Sequence, residues 1–244
     1  MTVQFLSQPT YDLAYTYQPV DNAPTVLFLP GYFSDMAGTK ALFLKDQSHR
    51  HGYGFLSLDY SGHGQSGGQF IDGTISSWLN DTLAVLDHTQ AKNLIVVGSS
   101  MGGWLMLLLA TKRPHLIRKL VGIAAAPDFT EDLIWQKLSE AKRHLLESKG
   151  CIYTPSAYSA QGTPLAYTLI LDGRKNLLLR TPITLSVPVR LIHGTADKDV
   201  PYETSIKIME KLESKDVHVR LIKDGDHRLS SPDQLQILWE TVIQ

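Results

Sequence analysis

The chain has 244 residues, 43% of them hydrophobic and 19% charged, and a formal charge of −1, which suits one large soluble α/β domain over residues 1–244. Lysines and arginines are scattered rather than striped, so no field draws the chain to nucleic acid or to an anionic membrane. A single cysteine, Cys151, permits no internal disulfide, gives no sign of an oxidising compartment and sits in no Cys-His motif.

The N-terminal "MTVQFLSQPTYDL" has neither a basic start nor an apolar core, so no secretory signal is expected and the expected location is the cytoplasm. The segment before Pro24 is expected to add one or two antiparallel edge strands. After it, short apolar runs alternate with helical patterns, the pattern of successive βαβ units. The expected strands are Thr25–Leu29, Gly54–Tyr60, Asn93–Val97, Lys119–Ala126, Val189–His193 and Val217–Ile222. Several are apolar at almost every position, as strands covered on both faces must be. The apolar run Leu94–Ala110 approaches membrane-spanning length but falls short of about 20 residues. Gly-Ser-Ser and Gly-Gly interrupt it, so it reads as a buried strand, a sharp turn and a buried helix, with no membrane span.

Between Pro127 and Ser186 the alternation lapses. Asp128 and Glu131 read as a capping box, and Ile134, Leu138, Ala141 and Leu145 mark one helical face ending at Gly150. Beyond Gly150 no strand is evident. An insertion of this length, 127–186, is expected to form a cap over the carboxyl edge of the sheet. The last helix has a clear start in Ser231, Pro232 and Gln234, with Leu235, Leu238, Trp239 and Val242 as its buried stripe.

Chemistry enters at "VVGSSMGGW". Gly98, Ser100 and Gly102 form G-x-S-x-G, which arises by chance about 0.08 times in a chain of this composition and length. Its place between an expected strand and an expected helix strengthens the signal. A nucleophile on such an elbow needs small neighbours and stands clear of the sheet, and the next residue, Met101, aims its backbone N–H at a developing oxyanion. The bland alternative is a structural turn. A serine also needs a base. Loops at the carboxyl ends of later strands offer Asp197 and Asp199 in "LIHGTADKDVP" and His227 in "KDGDHRLS", in the order Ser, Asp, His that this elbow uses. Asp226 reads as a loop residue orienting the backbone. His63 and His193 belong to turns, and His218 lies in an alternating strand. The histidines lack metal-ligand spacing, no phosphate-cradling glycine motif is present, and neither metal nor cofactor is expected.

These strings resemble the α/β-hydrolase superfamily along nearly the whole chain: "LPGY", "DYSGHGQS", "GSSMGG", "HGTADKDVP" and "GDHR". The longer strings "LPGYFSDMAGTKA", "DYSGHGQSGG", "VGSSMGGWLML", "YTPSAYS" and "DHR" are similar to the branch that contains the mitochondrial palmitoyl-protein thioesterase, also described as a mycophenolic acid acyl-glucuronide esterase. The resemblance implies an α/β-hydrolase fold, a mostly parallel sheet with helices on both faces and a small cap. It implies Ser100 as nucleophile, His227 as base, Asp197 as the acid behind it, and backbone N–H groups of Tyr32 and Met101 as the oxyanion hole; Asp199, in the same loop as Asp197, is the alternative acid. The expected substrate is a small-molecule or protein-linked acyl ester or thioester. Trp104, Met106, Trp135 and Leu138 are candidates for an acyl pocket, with ordinary packing the alternative for each. Peptidase, acyltransferase or carbon–carbon hydrolase chemistry on the same residues, or a binding protein without catalysis, are the rival readings. Acyl length, leaving group and oligomeric state are not written in these motifs.

Overall fold

The computed structural model describes residues 2–156 and 159–244, with the side chains of 154–161 left aside. Strands β1 (Gln4–Ser7) and β2 (Asp12–Gln18) open the chain, followed by β3 (Thr25–Leu29), α1 (Thr39–Arg50), β4 (Gly54–Leu58), α2 (Ile75–Thr89), β5 (Leu94–Ser99), α3 (Met101–Lys112) and β6 (Ile117–Ile123). After an excursion come β9 (Val189–Gly194), α6 (Glu203–Lys211), β10 (Val217–Ile222) and α7 (Pro232–Ile243). The eight strands of the main sheet lie in the order β1-β2-β4-β3-β5-β6-β9-β10. β1 pairs antiparallel with β2, and β2 antiparallel with β4; the remaining pairs are parallel.

Alternate side chains of each central strand serve opposite layers, because successive residues of a strand point to opposite faces. Leu27, Leu29, Leu56, Leu58 and Val96 join the core beneath α2 and α3. Val26, Phe28, Phe55, Ile95 and Val97 join a second core with Ala41 and Leu44 of α1 and Leu238, Trp239 and Val242 of α7. Every residue of α3 from Met101 to Ala110 is buried, as a helix apolar all round requires. The Leu94–Ala110 run therefore divides into β5 and α3, and among the described residues no helix is long and apolar enough to cross a membrane. The edge strand β10 alternates in exposure over much of its length. At α7 both halves of the capping box between Ser231 and Gln234 are formed.

The excursion between β6 and β9 differs from expectation in three respects. First, it holds strands of its own: β7 (Cys151–Ser156) and β8 (Ser159–Ala166) form an antiparallel hairpin, followed by α5 (Tyr167–Lys175). Of the "YTPSAYS" string, Ala157 and Tyr158 lie outside the described residues. Second, no continuous helix runs from Asp128 to Gly150. Short π and 3₁₀ turns cover Thr130–Ile134 and Trp135–Lys137, the chain extends at Leu138, and α4 (Glu140–Lys149) starts afresh on a Ser139 cap. That break rephases the helix, so Leu146 is its buried residue and Leu145 is exposed. Third, Asp128 does not cap a helix. Its buried carboxylate accepts N–H bonds from Leu178 (2.7 Å) and Leu179 (2.9 Å), fastening the end of the excursion to its beginning.

Candidate active site

Ser100 sits between β5 and α3 with φ 54° and ψ −119°, a left-handed setting that a non-glycine residue holds only under tertiary constraint. The constraint is visible. The Ser100 N–H donates to the Ile123 carbonyl at 2.9 Å, and its own carbonyl accepts from Gly103 at 2.9 Å and Ala126 at 3.0 Å. The end of β6 thus pins the elbow. A Cβ at Gly98 would strike the Gly102 carbonyl and lie 2.8 Å from the Gly103 Cα, so the turn closes only because both flanks lack side chains.

His227 follows β10 and Asp197 follows β9, so two strand-ending loops meet the elbow at the carboxyl edge of the sheet. His227 Nε2 lies 3.1 Å from Ser100 Oγ, and His227 Nδ1 lies 2.8 Å from Asp197 Oδ2. The structure thus brings together Ser100, Asp197 and His227 as the sequence placed them. Asp199 contributes differently: its backbone N–H, with that of Val200, donates to Asp197 Oδ1 at 2.9 Å. Asp226 orients the loop by accepting the Leu229 N–H at 3.0 Å. The Asp197 side chain has no exposed surface, and burial alone would raise its carboxyl. Hydrogen bonds from His193, His227 and the Val200 N–H, with the charge His227 can carry, outweigh that and hold it well below the usual carboxylate range. Asp197, Asp199 and His227 form a cluster with the residue types of a metal site, but both Asp197 oxygens are committed to N–H donors.

Gly31 passes directly over the elbow, its Cβ position 3.2 Å from Ser100 Cβ. Tyr32, next in the chain, has its ring against Phe70, Trp78 and Phe129, and its hydroxyl donates to the Pro164 carbonyl of β8 at 3.0 Å. Met101 opens α3, where a backbone N–H has no partner within the helix. Burial pushes the Tyr32 phenol up.

Ser100 and His227 face a cavity of about 770 Å³ whose apolar wall includes Phe33, Phe129, Leu133 and Ile134. A side branch of about 230 Å³ runs past Leu138, Pro164 and Leu165. Leu138 thus lines this branch. Trp104 and Trp135 are not among the lining residues. Trp104 backs Phe129 from behind and donates from Nε1 to the Asn176 carbonyl at 3.0 Å, while Met106 is fully buried in the core. Trp135 is flanked by the Arg143 and Arg174 guanidinium groups, 5.4 and 4.6 Å from its ring. Sequence reasoning missed Phe33, Phe129 and Leu133; the first two follow "LPGY" and the end of β6 and could have been found by their place in those loops. Cationic side chains of Lys40, Lys137 and Lys198 also border the cavity. Burial pulls the Lys40 ammonium down to about 8.

The alpha/beta hydrolase fold profile matches residues 24–150. The palmitoyl-protein thioesterase ABHD10, mitochondrial, of Homo sapiens is 37% identical over 243 residues, covering 99% of this chain and 79% of that protein. Among solved structures, a putative hydrolase from Agrobacterium vitis S4 superposes with a TM-score of 0.94 at 40% identity, covering 100% of this chain and 98% of the other. Alpha/beta hydrolase domain-containing protein 10 from mouse gives 0.91 at 35% identity, with 100% and 97% covered. Likeness of this extent, across the sheet and the elbow alike, makes the chain a member of the α/β-hydrolase family, related to the ABHD10 thioesterases and to hydrolases of ester bonds.

Proposed function

We propose that the chain is a serine acyl hydrolase, an esterase or thioesterase that works through an acyl-enzyme on Ser100. The observation that carries this reading is the hydrogen-bonded line from Ser100 Oγ through His227 to Asp197 at the edge of a partly apolar cavity. In the first step Ser100 Oγ bonds to the acyl carbon while its proton passes to His227 Nε2. The carbonyl π pair moves to oxygen, which the backbone N–H groups of Tyr32 and Met101 receive; one such donor is worth about 2.7–4 kcal/mol in the transition state. Collapse breaks the bond to the leaving oxygen or sulfur, which takes the proton from His227. Water then repeats the sequence, giving its proton to His227 and releasing the carboxylic acid from Ser100. Asp197 stays ionised, holding the Nδ1–H tautomer and stabilising the imidazolium.

The names of the relatives support S-acyl cysteine in proteins as the substrate class, with activated acyl esters as simpler equivalents. The apolar wall at Leu133, Ile134 and Leu138 supports an acyl chain seated beneath the excursion 127–186, acting as a cap. The test is hydrolysis of p-nitrophenyl esters and acyl thioesters from acetyl to palmitoyl by the native chain and by Ser100→Ala. Turnover abolished by the substitution, with an optimum in chain length, is the expected result. Equal inertness of both proteins on every ester and thioester would leave the reading without support.

A further inference from the structure

His193, in β9, is completely buried. Its Nε2 lies 3.1 Å from Asp197 Oδ2 and 3.0 Å from the Val200 carbonyl. Its Nδ1 lies 2.8 Å from Ser205 Oγ in α6. Both partners at Nε2 are acceptors, so Nε2 carries the proton, and Nδ1 is left to accept from the Ser205 hydroxyl. The two acceptors at Nε2 therefore fix the tautomer, and the Ser205 hydroxyl, free to donate or accept, completes it by donating to Nδ1. The oxygen that receives His193 Nε2–H is the one that receives His227 Nδ1–H at 2.8 Å. The other oxygen takes the Asp199 and Val200 amides, so four N–H donors occupy the acceptor sites of one carboxylate.

We infer that His193 is a positioning residue for the Ser100–His227–Asp197 relay, its Nε2–H converging with His227 Nδ1–H on Asp197 Oδ2 and fixing the direction from which that oxygen holds the base. The inference rests on the acyl-hydrolase reading above. Packing alone does not account for an imidazole here: an aliphatic side chain fills a buried site without the cost of desolvating two ring nitrogens. Both nitrogens are instead bonded along one line, from α6 to the acid.

The same bond has an electrostatic consequence. A donor on Oδ2 draws off part of the negative charge that His227 Nδ1–H meets. Without it the carboxylate is a stronger acceptor, the imidazolium of His227 gains stability, and the acid limb of kcat/KM moves to higher pH. The ionisable groups around the relay are Lys198 and Asp199 beside Asp197, Asp226 and Arg228 beside His227, Asp35 and Lys137 on the cavity wall, and Lys40 of α1, whose Nζ donates to the Arg228 carbonyl at 2.5 Å. A change at His193 leaves all of them in place, so a shift of the limb reports on the Asp197 bond.

The experiment follows hydrolysis of p-nitrophenyl butyrate across pH by the full chain and its His193→Leu, His193→Gln, Ser205→Ala and Ser100→Ala variants, each checked for folding by circular dichroism. His193→Leu is expected to lower kcat about 10- to 100-fold, the range of one hydrogen bond to a charged group, with KM within about twofold and the acid limb raised. His193→Gln, whose amide N–H reaches the same oxygen, is expected to restore most of kcat and return the limb. Ser205→Ala is expected to move both quantities the same way by less. Unchanged kcat and limb in His193→Leu overturn the inference, as does an equal loss in Leu and Gln variants with no shift of the limb. Should His193→Leu not fold, Ser205→Ala decides: a shifted limb with lowered kcat supports the inference and an unaltered profile overturns it. Native activity indifferent to Ser100→Ala would overturn the acyl-hydrolase reading instead, an outcome no His193 result can imitate.

Discussion

Gly102 of α3 runs so close to the end of β3 that a Cβ placed on it would collide with the Leu29 carbonyl oxygen. The elbow at Ser100 is therefore held from below by a strand two positions before the loop that passes over it. Gly102→Ala has no flexible neighbour to displace, since both nearest carbonyls, of Leu29 and Pro30, are backbone. Overpacking of this kind costs about 1–3 kcal/mol. Urea unfolding should show that loss, and kcat/KM on a short ester should fall further than stability does, because relief of the clash tilts Ser100. Native stability and activity in this variant would mean that the elbow is looser than its geometry implies.

Tyr32 separates the contribution of a peptide N–H from that of its side chain. Tyr32→Phe removes the hydroxyl that meets the Pro164 carbonyl at 3.0 Å but leaves the backbone donor and the ring contacts. A neutral hydrogen bond contributes about 1 kcal/mol net, so kcat should change by less than about fivefold. Tyr32→Ala also empties the space among Phe70, Trp78 and Phe129, and a far larger fall in kcat is expected. Steady-state kinetics of the two variants side by side make the comparison. A drop in Tyr32→Phe as deep as in Tyr32→Ala would place the chemistry in the phenol.

The contrast between these loops and the excursion explains what was legible in the sequence. β3, β5 and β6 announce themselves because their apolar runs are buried on both faces. Ser100, Asp197 and His227 stood out because each follows an expected strand, buried on both faces for Ser100 and Asp197 and a half-exposed edge strand for His227, and chain order alone puts such positions on one edge. The hairpin β7–β8 gave no such signal: Pro155, Gly162 and Pro164 interrupt it, and prolines and glycines ordinarily demote a strand. Leu145 matched a helical stripe only if the helix continued through Leu138, and the extended backbone there ends that register. Asp128 resembled a cap because its true partners, the amides of Leu178 and Leu179, lie some fifty residues away. Periodicity cannot report a contact of that span.

His63 gives the fold a dependence on pH. It is 5% exposed, donates from Nδ1 to the Ser61 carbonyl at 3.2 Å, and its Nε2 has no hydrogen-bond partner among the described residues. Burial lowers its pKa from 6.5 to about 4. The unfolded chain accepts a proton near 6.5 that the folded chain refuses until about pH 4. This contribution is therefore intact above pH 6.5 and is lost as pH falls through that window, by on the order of 2–3 kcal/mol at pH 4.5. Asp59 and Asp81, whose carboxyls burial raises, oppose the trend, so the informative quantity is a difference. Denaturant unfolding at pH 7 and pH 4.5 should show a shallower loss for His63→Gln than for the native chain. Equal losses would assign the acid sensitivity elsewhere.

The cavity makes a prediction about chain length that distinguishes two leucine-rich neighbourhoods. Leu133 and Ile134 border both the main cavity and its side branch, and Leu138 borders the branch alone. If the acyl chain lies along this wall, each added methylene gains about 0.8 kcal/mol by burial, or about fourfold in kcat/KM, until the seat is full. Leu138→Trp closes the branch without reaching Ser100. Acetyl ester hydrolysis should be unchanged, while the optimum moves to shorter chains and the long esters lose the gain of each excluded methylene. Trp104→Phe is the counterpart: it disturbs the core behind Phe129 and removes the bond to Asn176, so it should lower stability and leave the chain-length profile in place. A profile that follows Trp104 and ignores Leu138 would put the acyl chain on the opposite side of Phe129 from the cavity.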